Sequence, residues 1–469
     1  MVTYDAAVAE LYRLGRELAH TAGQQFDLKF VRILLEALGH PERRFPTVLV
    51  AGTNGKGSTA ATLASILQAA GHRTGLYTSP HLLRINERIR INGETIGDAE
   101  FAELYGDVDA RAQALADSGA LPSHPNFFEL LTAMAFSYFA RCPVEIAVME
   151  VGLGGRLDAT NAAEPFLAVI ADIALDHQEF LGNTIGEIAR EKAGIIHPGG
   201  TVVTLPQHPE ANEAIASRAL ECGAAAINAA PFVPAFSPAA DLPAVPRLPA
   251  IPAAGGRDST AYPLEVMGER ILVDSPLVGR HQWRNIALAV AAAEQLNRKG
   301  VKISPKNIEA GIRRTCWPGR FQIVPADPGD GWPEVVLDVA HNPAGAWALR
   351  AALSERYLRG EESGGGSRPL TLVFGAMRDK AFGEIAEILF PLATHLVLTR
   401  ADSPRAATPE EIRAALQRIP INAVTEENVA GALHRARGLA GPDGVLAITG
   451  SLYIVGEALT LLPARAARP

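Results

Sequence analysis

Lys56 stands in the run Gly52-Thr53-Asn54-Gly55-Lys56-Gly57-Ser58, where glycines surround one cation and a hydroxyl follows. Such a run builds a phosphate cradle. Backbone without Cβ lets N–H groups turn toward phosphate oxygens, the lysine adds a point charge, and a helix opening at Ser58 adds its positive end. The spacing departs from the common G-x-x-x-x-G-K-[ST] form. Only two residues separate Gly52 from Gly55, and Gly57 intervenes between the lysine and Ser58, which marks a subtype of triphosphate loop.

Four more polar clusters fall at expected strand or helix ends, where α/β sheets gather their ligands. Tyr77-Thr-Ser-Pro-His-Leu82 offers the Ser79 hydroxyl to a hard cation, or is an ordinary strand-exit turn. Met149-Glu-Val-Gly-Leu-Gly-Gly-Arg-Leu-Asp-Ala-Thr-Asn161 ends an apolar strand in Glu150, the layout of an acid that holds Mg²⁺ opposite a phosphate loop. Its glycines suit backbone passing close to a ligand, or simply tight packing. In Asp172-Ile-Ala-Leu-Asp-His-Gln-Glu-Phe-Leu-Gly182, His177 is either a structural imidazole or a ligand to a second cation. In Arg190-Glu-Lys-Ala-Gly194 a lysine at position 192 is favoured by the helix dipole whatever its function. Farther on, Val335-Val-Leu-Asp-Val-Ala-His-Asn-Pro343 repeats the apolar-strand-to-polar-turn pattern, and Pro318-Gly-Arg-Phe-Gln322 places Arg320 near a domain junction. Its planar fork suits a polyphosphate across a cleft, or an interdomain salt bridge.

The elements that position these residues alternate between strand and helix, which predicts a mostly parallel sheet. Expected strands are Thr47–Val50, Thr74–Tyr77, Ile146–Glu150, Ala168–Ile173 and Val202–Leu205, with helices at Ser58–Ala70 and Phe127–Ala140. Thr184 and Glu187 form a capping box for a helix running to Lys192 and stopping at Gly194. From about 224 to 262 the chain turns rich in Ala and Pro, which reads as a partly ordered insert ending in a hairpin of Tyr262–Met267 and Arg270–Asp274. Helices at Trp283–Lys299 and Pro305–Arg313 close a first domain, residues 1–315. Beyond a Pro/Gly-rich stretch the alternation restarts in residues 316–469. Strands are expected at Glu334–Asp338, Leu370–Phe374, His395–Thr399, Ile421–Thr425 and Gly444–Ile448, with a loop at Gly360–Ser367. The fold class expected is α/β: a phosphate-loop-type, mostly parallel sheet domain, then a smaller Rossmann-like α/β domain.

Composition sets bounds. A chain of 469 residues exceeds a single core and suits two domains. Hydrophobic residues at 48%, charged residues at 20% and a net charge of −8 describe a globular protein with no pull toward nucleic acid or anionic membranes. Three scattered cysteines point to free thiols in a reducing cytosol. The first twenty residues have the spacing of an amphipathic helix rather than a signal peptide, and no apolar stretch is long enough to cross a bilayer.

Taken in order, these segments resemble the folylpolyglutamate synthase and dihydrofolate synthase family of the Mur ligase superfamily. The resemblance covers nearly the whole chain, and the glycine-rich segment after Glu150 is its most specific part. It implies an ATP-dependent ligase that makes an amide between a pteroate or folate carboxylate and L-glutamate through an acyl phosphate. It further implies that Gly52, Thr53, Asn54, Gly55, Lys56, Gly57 and Ser58 hold the nucleotide, with Asn285, Arg320, Asp338 and His341. Ser79, Glu150 and His177 would ligate Mg²⁺, Lys192 would be carbamylated, and Lys56, Lys192 and His177 would form the catalytic set. Asn126 and Phe128 fall where family members carry a Thr-x-Phe-Glu pattern at the pterin site, the asparagine being a departure. The partners implied are ATP, L-glutamate and dihydropteroate or a reduced folate, without nucleic acid or membrane, for a cytoplasmic monomer. A bifunctional enzyme making dihydrofolate and extending its glutamate tail comes first. A monofunctional folylpolyglutamate synthase, a cell-wall ligase and a nucleotide switch without ligase activity are the alternatives.

Overall fold

A computed structural model of the chain describes residues 2–15, 27–234, 260–327, 329, 331–358, 368–415 and 422–463. These fall into two compact units. The first takes the described residues of Met1–Arg257, Ala261–Pro276 and Trp283–Thr315, the second those of Asp258–Thr260, Leu277–Gln282 and Cys316–Pro469.

The first unit is built on an eight-stranded sheet. Its strands lie in the order Glu94–Thr95, Ile89–Ile91, Thr74–Tyr77, Ile146–Glu150, Thr47–Ala51, Leu167–Ile170, Thr201–Thr204, Ala225–Asn228. The six from Thr74–Tyr77 onward are parallel to one another, and the first two return antiparallel at one edge. Thr47–Ala51 and Ile146–Glu150 are buried at every position, as expected of parallel strands covered on both faces. Alternate residues feed separate cores. Leu49, Ala51, Ala147 and Met149 face helices Leu28–Ala37 and Phe127–Arg141, while Val48, Val50, Ile146 and Val148 face Lys56–Ala69 and Arg280–Arg298.

From Thr47–Ala51 the chain moves to one side of the sheet, and from Ile146–Glu150 it crosses to the other. The strand carrying the phosphate loop is therefore central, with Val50 opposite Glu150 and Ala51 opposite Ile170. A crevice outside the carboxyl ends of strands at such a switch point is the usual place for a ligand.

The second unit holds six strands in the order Gln322–Val324, Glu334–Leu337, Val445–Thr449, Leu370–Phe374, His395–Leu398, Ala423–Thr425, all parallel but the first. Helices Pro343–Tyr357, Phe382–Leu389, Pro409–Ala415, Val429–Ala440 and Leu452–Leu461 accompany them.

The structure narrows one expectation and adds an element to another region. Ala225–Asn228, read as the start of the Ala/Pro-rich insert, is instead the edge strand of the large sheet, and Thr260–Val266 with Glu269–Ser275 forms the hairpin. The middle of that insert and the Gly360–Ser367 loop lie outside the described residues. Gln322–Val324, placed in the Pro/Gly-rich stretch, pairs antiparallel with Glu334–Leu337. Its three residues are too short for a visible period-two pattern.

Candidate active site

Gly55 (φ 81°) is the residue before helix Lys56–Ala69, and that helix carries no side-chain cap. The first bond of the helix runs from Thr59 N–H to the Gly55 carbonyl at 2.9 Å, so the N–H groups of Lys56, Gly57 and Ser58 precede intrahelical pairing. Those donors and the dipole face the same end, an arrangement that can receive an anion. Lys56 Nζ rests on the Thr53 carbonyl at 3.2 Å, inside the loop's own curve. Only glycine fits at position 55: a Cβ there would come within 2.1 Å of Asn285 Oδ1. Asn285, from helix Arg280–Arg298, is buried and thus forms one wall of the loop.

On one side of the loop stand Ser79 and Glu150. Glu150 is only 5% exposed, which for a carboxylate is unusual without partners. The Ser79 N–H donates to Glu150 Oε2 at 3.2 Å, so the two expected ligands meet. The turn after Ser79 is knit locally, with Glu87 accepting from the N–H groups of Leu82, Leu83 and Arg84. In the same turn His81 is held neutral: burial and the Arg88 charge push it down to about 3, and its Nδ1 accepts from Arg88 Nε at 2.9 Å.

Both readings of the glycine-rich segment apply. Asp158 folds it, its Oδ2 accepting from Gly152 and Leu153 N–H at 3.0 and 2.9 Å and its Oδ1 from Thr160 N–H at 3.0 Å. Burial raises the Asp158 carboxyl while these donors pull it down. A Cβ on Gly152 would lie 2.3 Å from Phe128 Cζ, so the Phe128 ring seats directly on the turn. Its ring centre is 6.1 Å from that of Tyr77. Asn126 caps the Phe127–Arg141 helix, its Oδ1 accepting from Phe128 and Glu129 N–H at 2.9 and 3.0 Å. The departure from threonine therefore preserves the cap.

Lys192 lies in helix Ile185–Ala193, which begins at the Thr184–Glu187 capping box and ends at Gly194 as the sequence indicated. A helix-end lysine serving the dipole would reach solvent, but Lys192 is 5% exposed. Burial and the nearby Lys56 charge bring its ammonium down to about 7, against the opposing pull of Asp176 and Asp158. His177 has left-handed backbone (φ 51°) and stands with Nε2 3.8 Å from Asp176 Oδ2.

Among the described residues no three His, Cys, Asp or Glu side chains cluster as a metal cage. Ser79 and Glu150, which meet through one hydrogen bond, suit a different arrangement, and His177 is placed only against Asp176. Magnesium commonly takes one or two protein carboxylates and fills its shell with water and phosphate oxygens. A buried carboxylate beside a phosphate loop fits an ion that arrives with the nucleotide.

In the second unit Asp338 ends strand Glu334–Leu337, and its carboxylate accepts from Phe321 N–H at 2.8 Å and Ala340 N–H at 2.9 Å. Burial raises this carboxyl, and the Arg320 charge opposes the rise. Arg320 bonds the Gly319 carbonyl at 3.3 Å, His341 Nδ1 pairs with the Val339 carbonyl at 2.9 Å, and Asn342 Oδ1 caps the next helix at Gly345 N–H, 2.8 Å.

Two family models match the chain: the Mur ligase middle domain over residues 50–222 and the Mur ligase glutamate ligase domain over residues 319–452. A dihydrofolate synthase/folylpolyglutamate synthase from Bacillus subtilis is 35% identical across 90% of this chain and 92% of its own length. The chain belongs to the folylpolyglutamate synthase and dihydrofolate synthase family. Solved members share its fold. Mycobacterium tuberculosis folylpolyglutamate synthase complexed with ADP and AMPPCP is 31% identical, with a TM-score of 0.79 and 98% of each chain covered. The bifunctional Yersinia pestis enzyme complexed with AMPPNP and a manganese ion is 28% identical, with a TM-score of 0.76 and 97% of each chain covered. In this chain the glycine-rich turn and Glu150 follow adjacent parallel strands, with Val50 opposite Glu150.

Proposed function

We propose that this chain joins L-glutamate to dihydropteroate, and to folates already carrying glutamate, using ATP and a divalent cation. It is an ATP-dependent, amide-bond-forming ligase. The observation that carries the reading is the register Val50 to Glu150, which sets a buried acid beside an uncapped, glycine-lined helix start.

A carboxylate oxygen of the pterin substrate attacks the γ-phosphorus and ADP leaves, giving an acyl phosphate. The glutamate nitrogen then attacks the acyl carbon, loses its proton, and inorganic phosphate departs. Phosphoryl transfer asks for positioning and charge neutralisation more than for covalent help. The N–H groups of Lys56, Gly57 and Ser58 and the Lys56 ammonium are proposed to supply both, with Gly52 to Gly55 and Asn285 shaping the loop. Magnesium, when bound through Glu150, Ser79 and His177, would offset phosphate charge. Arg320, Asp338 and His341 are proposed for the nucleotide, and Phe128, on the cap set by Asn126, for the pterin. Residues 1–315 are the proposed ATP-binding domain and residues 316–469 the glutamate-ligase domain.

Lys192 is proposed to be carbamylated. Carbon dioxide adds to the neutral amine, which releases a proton as the carbamate forms, and a lysine brought down to about 7 supplies that amine at physiological pH. The product also reverses the electrostatics, because Lys56 repels an ammonium at that place and attracts a carbamate. Free thiols at Cys142, Cys222 and Cys316 agree with a reducing compartment. Among the described residues no helix is long and apolar enough to cross a membrane. A cytoplasmic monomer is the proposed working state, checked by localisation and light scattering.

The purified chain with ATP, Mg²⁺ and L-glutamate should release phosphate and give a glutamylated product from both dihydropteroate and tetrahydrofolate, read by mass spectrometry. Product from tetrahydrofolate alone would leave a monofunctional folylpolyglutamate synthase. ATP binding without ADP release on either acceptor would mean a nucleotide switch.

A further inference from the structure

The loop is held from behind as well as lined. Thr53 and Asn54 N–H both donate to the Asp172 carbonyl, at 2.8 and 3.1 Å, forming an isolated antiparallel bridge. Thr53 Oγ1 lies 3.1 Å from both the N–H and the carbonyl oxygen of Ala174. The first half of the phosphate loop is therefore stitched to the segment leaving strand Leu167–Ile170. That segment is fixed by its own side chain. Arg284 grips the Asp172 carboxylate with its fork, Nη2 to Oδ1 at 2.6 Å and Nε to Oδ2 at 2.9 Å, and sends a third bond to the Pro206 carbonyl at 3.0 Å.

Arg284 precedes Asn285, whose side chain walls Gly55. Two consecutive residues of one helix thus bear on the loop, one directly and one through Asp172. We infer that Asp172 and Arg284 are a positioning pair that fixes the phosphate loop in its nucleotide-binding shape. The Asp172 carbonyl takes up the Thr53 and Asn54 donors, and the ion pair anchors the residue that carries this carbonyl, so the curve presents the N–H groups of Lys56, Gly57 and Ser58 to phosphate.

A purely structural role predicts something else. The two side chains are 32% and 35% exposed, and ion pairs of that kind contribute little to stability. A global stabiliser would move the melting temperature and leave nucleotide affinity alone. A positioning pair does the reverse, because a small displacement of a ligand-gripping loop is felt mainly in binding.

The inference rests on the ligase reading, so the test uses binding rather than turnover. Calorimetric titration with AMPPNP and Mg²⁺ should show affinity falling roughly five- to tenfold in Arg284→Met, with the melting temperature near that of the parent. Arg284→Lys, which keeps a charge but not a fork, should recover part of the loss. Asp172→Asn keeps the carbonyl acceptor and gives an independent reading of the same pair. Parent-like affinity in both Arg284→Met and Asp172→Asn, or a loss that only tracks the melting temperature, overturns the inference. A parent chain that binds no nucleotide overturns the ligase reading itself, and the positioning pair with it.

Discussion

Two strand-to-helix corners in this chain begin alike and end differently. In the first unit, strand Thr47–Ala51 runs through Gly52 to Gly55 into a helix with no side-chain cap. In the second, strand Glu334–Leu337 runs through Asp338 to Asn342 into a helix that Asn342 caps and Pro343 opens. Cap chemistry decides what each corner can do. Asn342 takes up one of the donors at its helix start, and Pro343 brings none. The glycine corner leaves its donors to a ligand. The acids differ in place. Asp338 accepts main-chain N–H groups of its own corner on both oxygens, whereas Glu150 ends the neighbouring strand and its Oε2 accepts from Ser79 N–H.

The contrast is easiest to break with Lys56→Ala. Removing the charge at the glycine corner should lower kcat by roughly 10²- to 10³-fold in a phosphate-release assay, the usual size for a lost transition-state donor. An effect under threefold would mean that the corner does not hold the transferring phosphate.

Gly55→Ala sharpens the geometric half. Its Cβ would meet Asn285 Oδ1 at 2.1 Å and its φ of 81° disfavours a side chain, so one of the two must shift. AMPPNP affinity should fall by roughly tenfold or more.

A pH series addresses Lys192. Its ammonium dominates below about 7 and the amine above, so carbamate and activity should both grow as pH rises from 6 to 8. Severalfold higher turnover at the upper end is expected, with isotope-labelled bicarbonate appearing on Lys192. A flat profile and an unlabelled lysine would remove the modification from the account.

The smallest effect belongs to the capped corner. Asn342→Ala should lower stability by about 1 kcal/mol in a denaturant melt and leave AMPPNP affinity near the parent value. A large loss of nucleotide affinity there would erase the distinction between the corners.

Much of this was legible in the chain itself. The phosphate loop, Glu150 and the Thr184–Glu187 box announce themselves because each is a local pattern with a local physical cause. The strands Leu370–Phe374 and Ile146–Glu150 were visible as buried runs for the same reason. What stayed hidden depends on partners far away in sequence. Asp172 and Arg284 are 112 residues apart, and no spacing rule joins them. Ala225–Asn228 is a strand because Thr201–Thr204 offers an edge, although its own alanines suggest nothing of the kind. By its local pattern alone Lys192 reads as a lysine favoured by the helix dipole, because burial is a property of the fold around it.

The central claim is that ATP meets a substrate carboxylate, not water, at the glycine corner. Dihydropteroate carrying heavy oxygen in its carboxylate tests this directly. If the acyl phosphate forms, one labelled oxygen leaves in the inorganic phosphate when glutamate attacks, and mass spectrometry of the released phosphate will show it. Phosphate free of label, with the departing heavy oxygen recovered in water or the labelled acid left unreacted, would contradict the account.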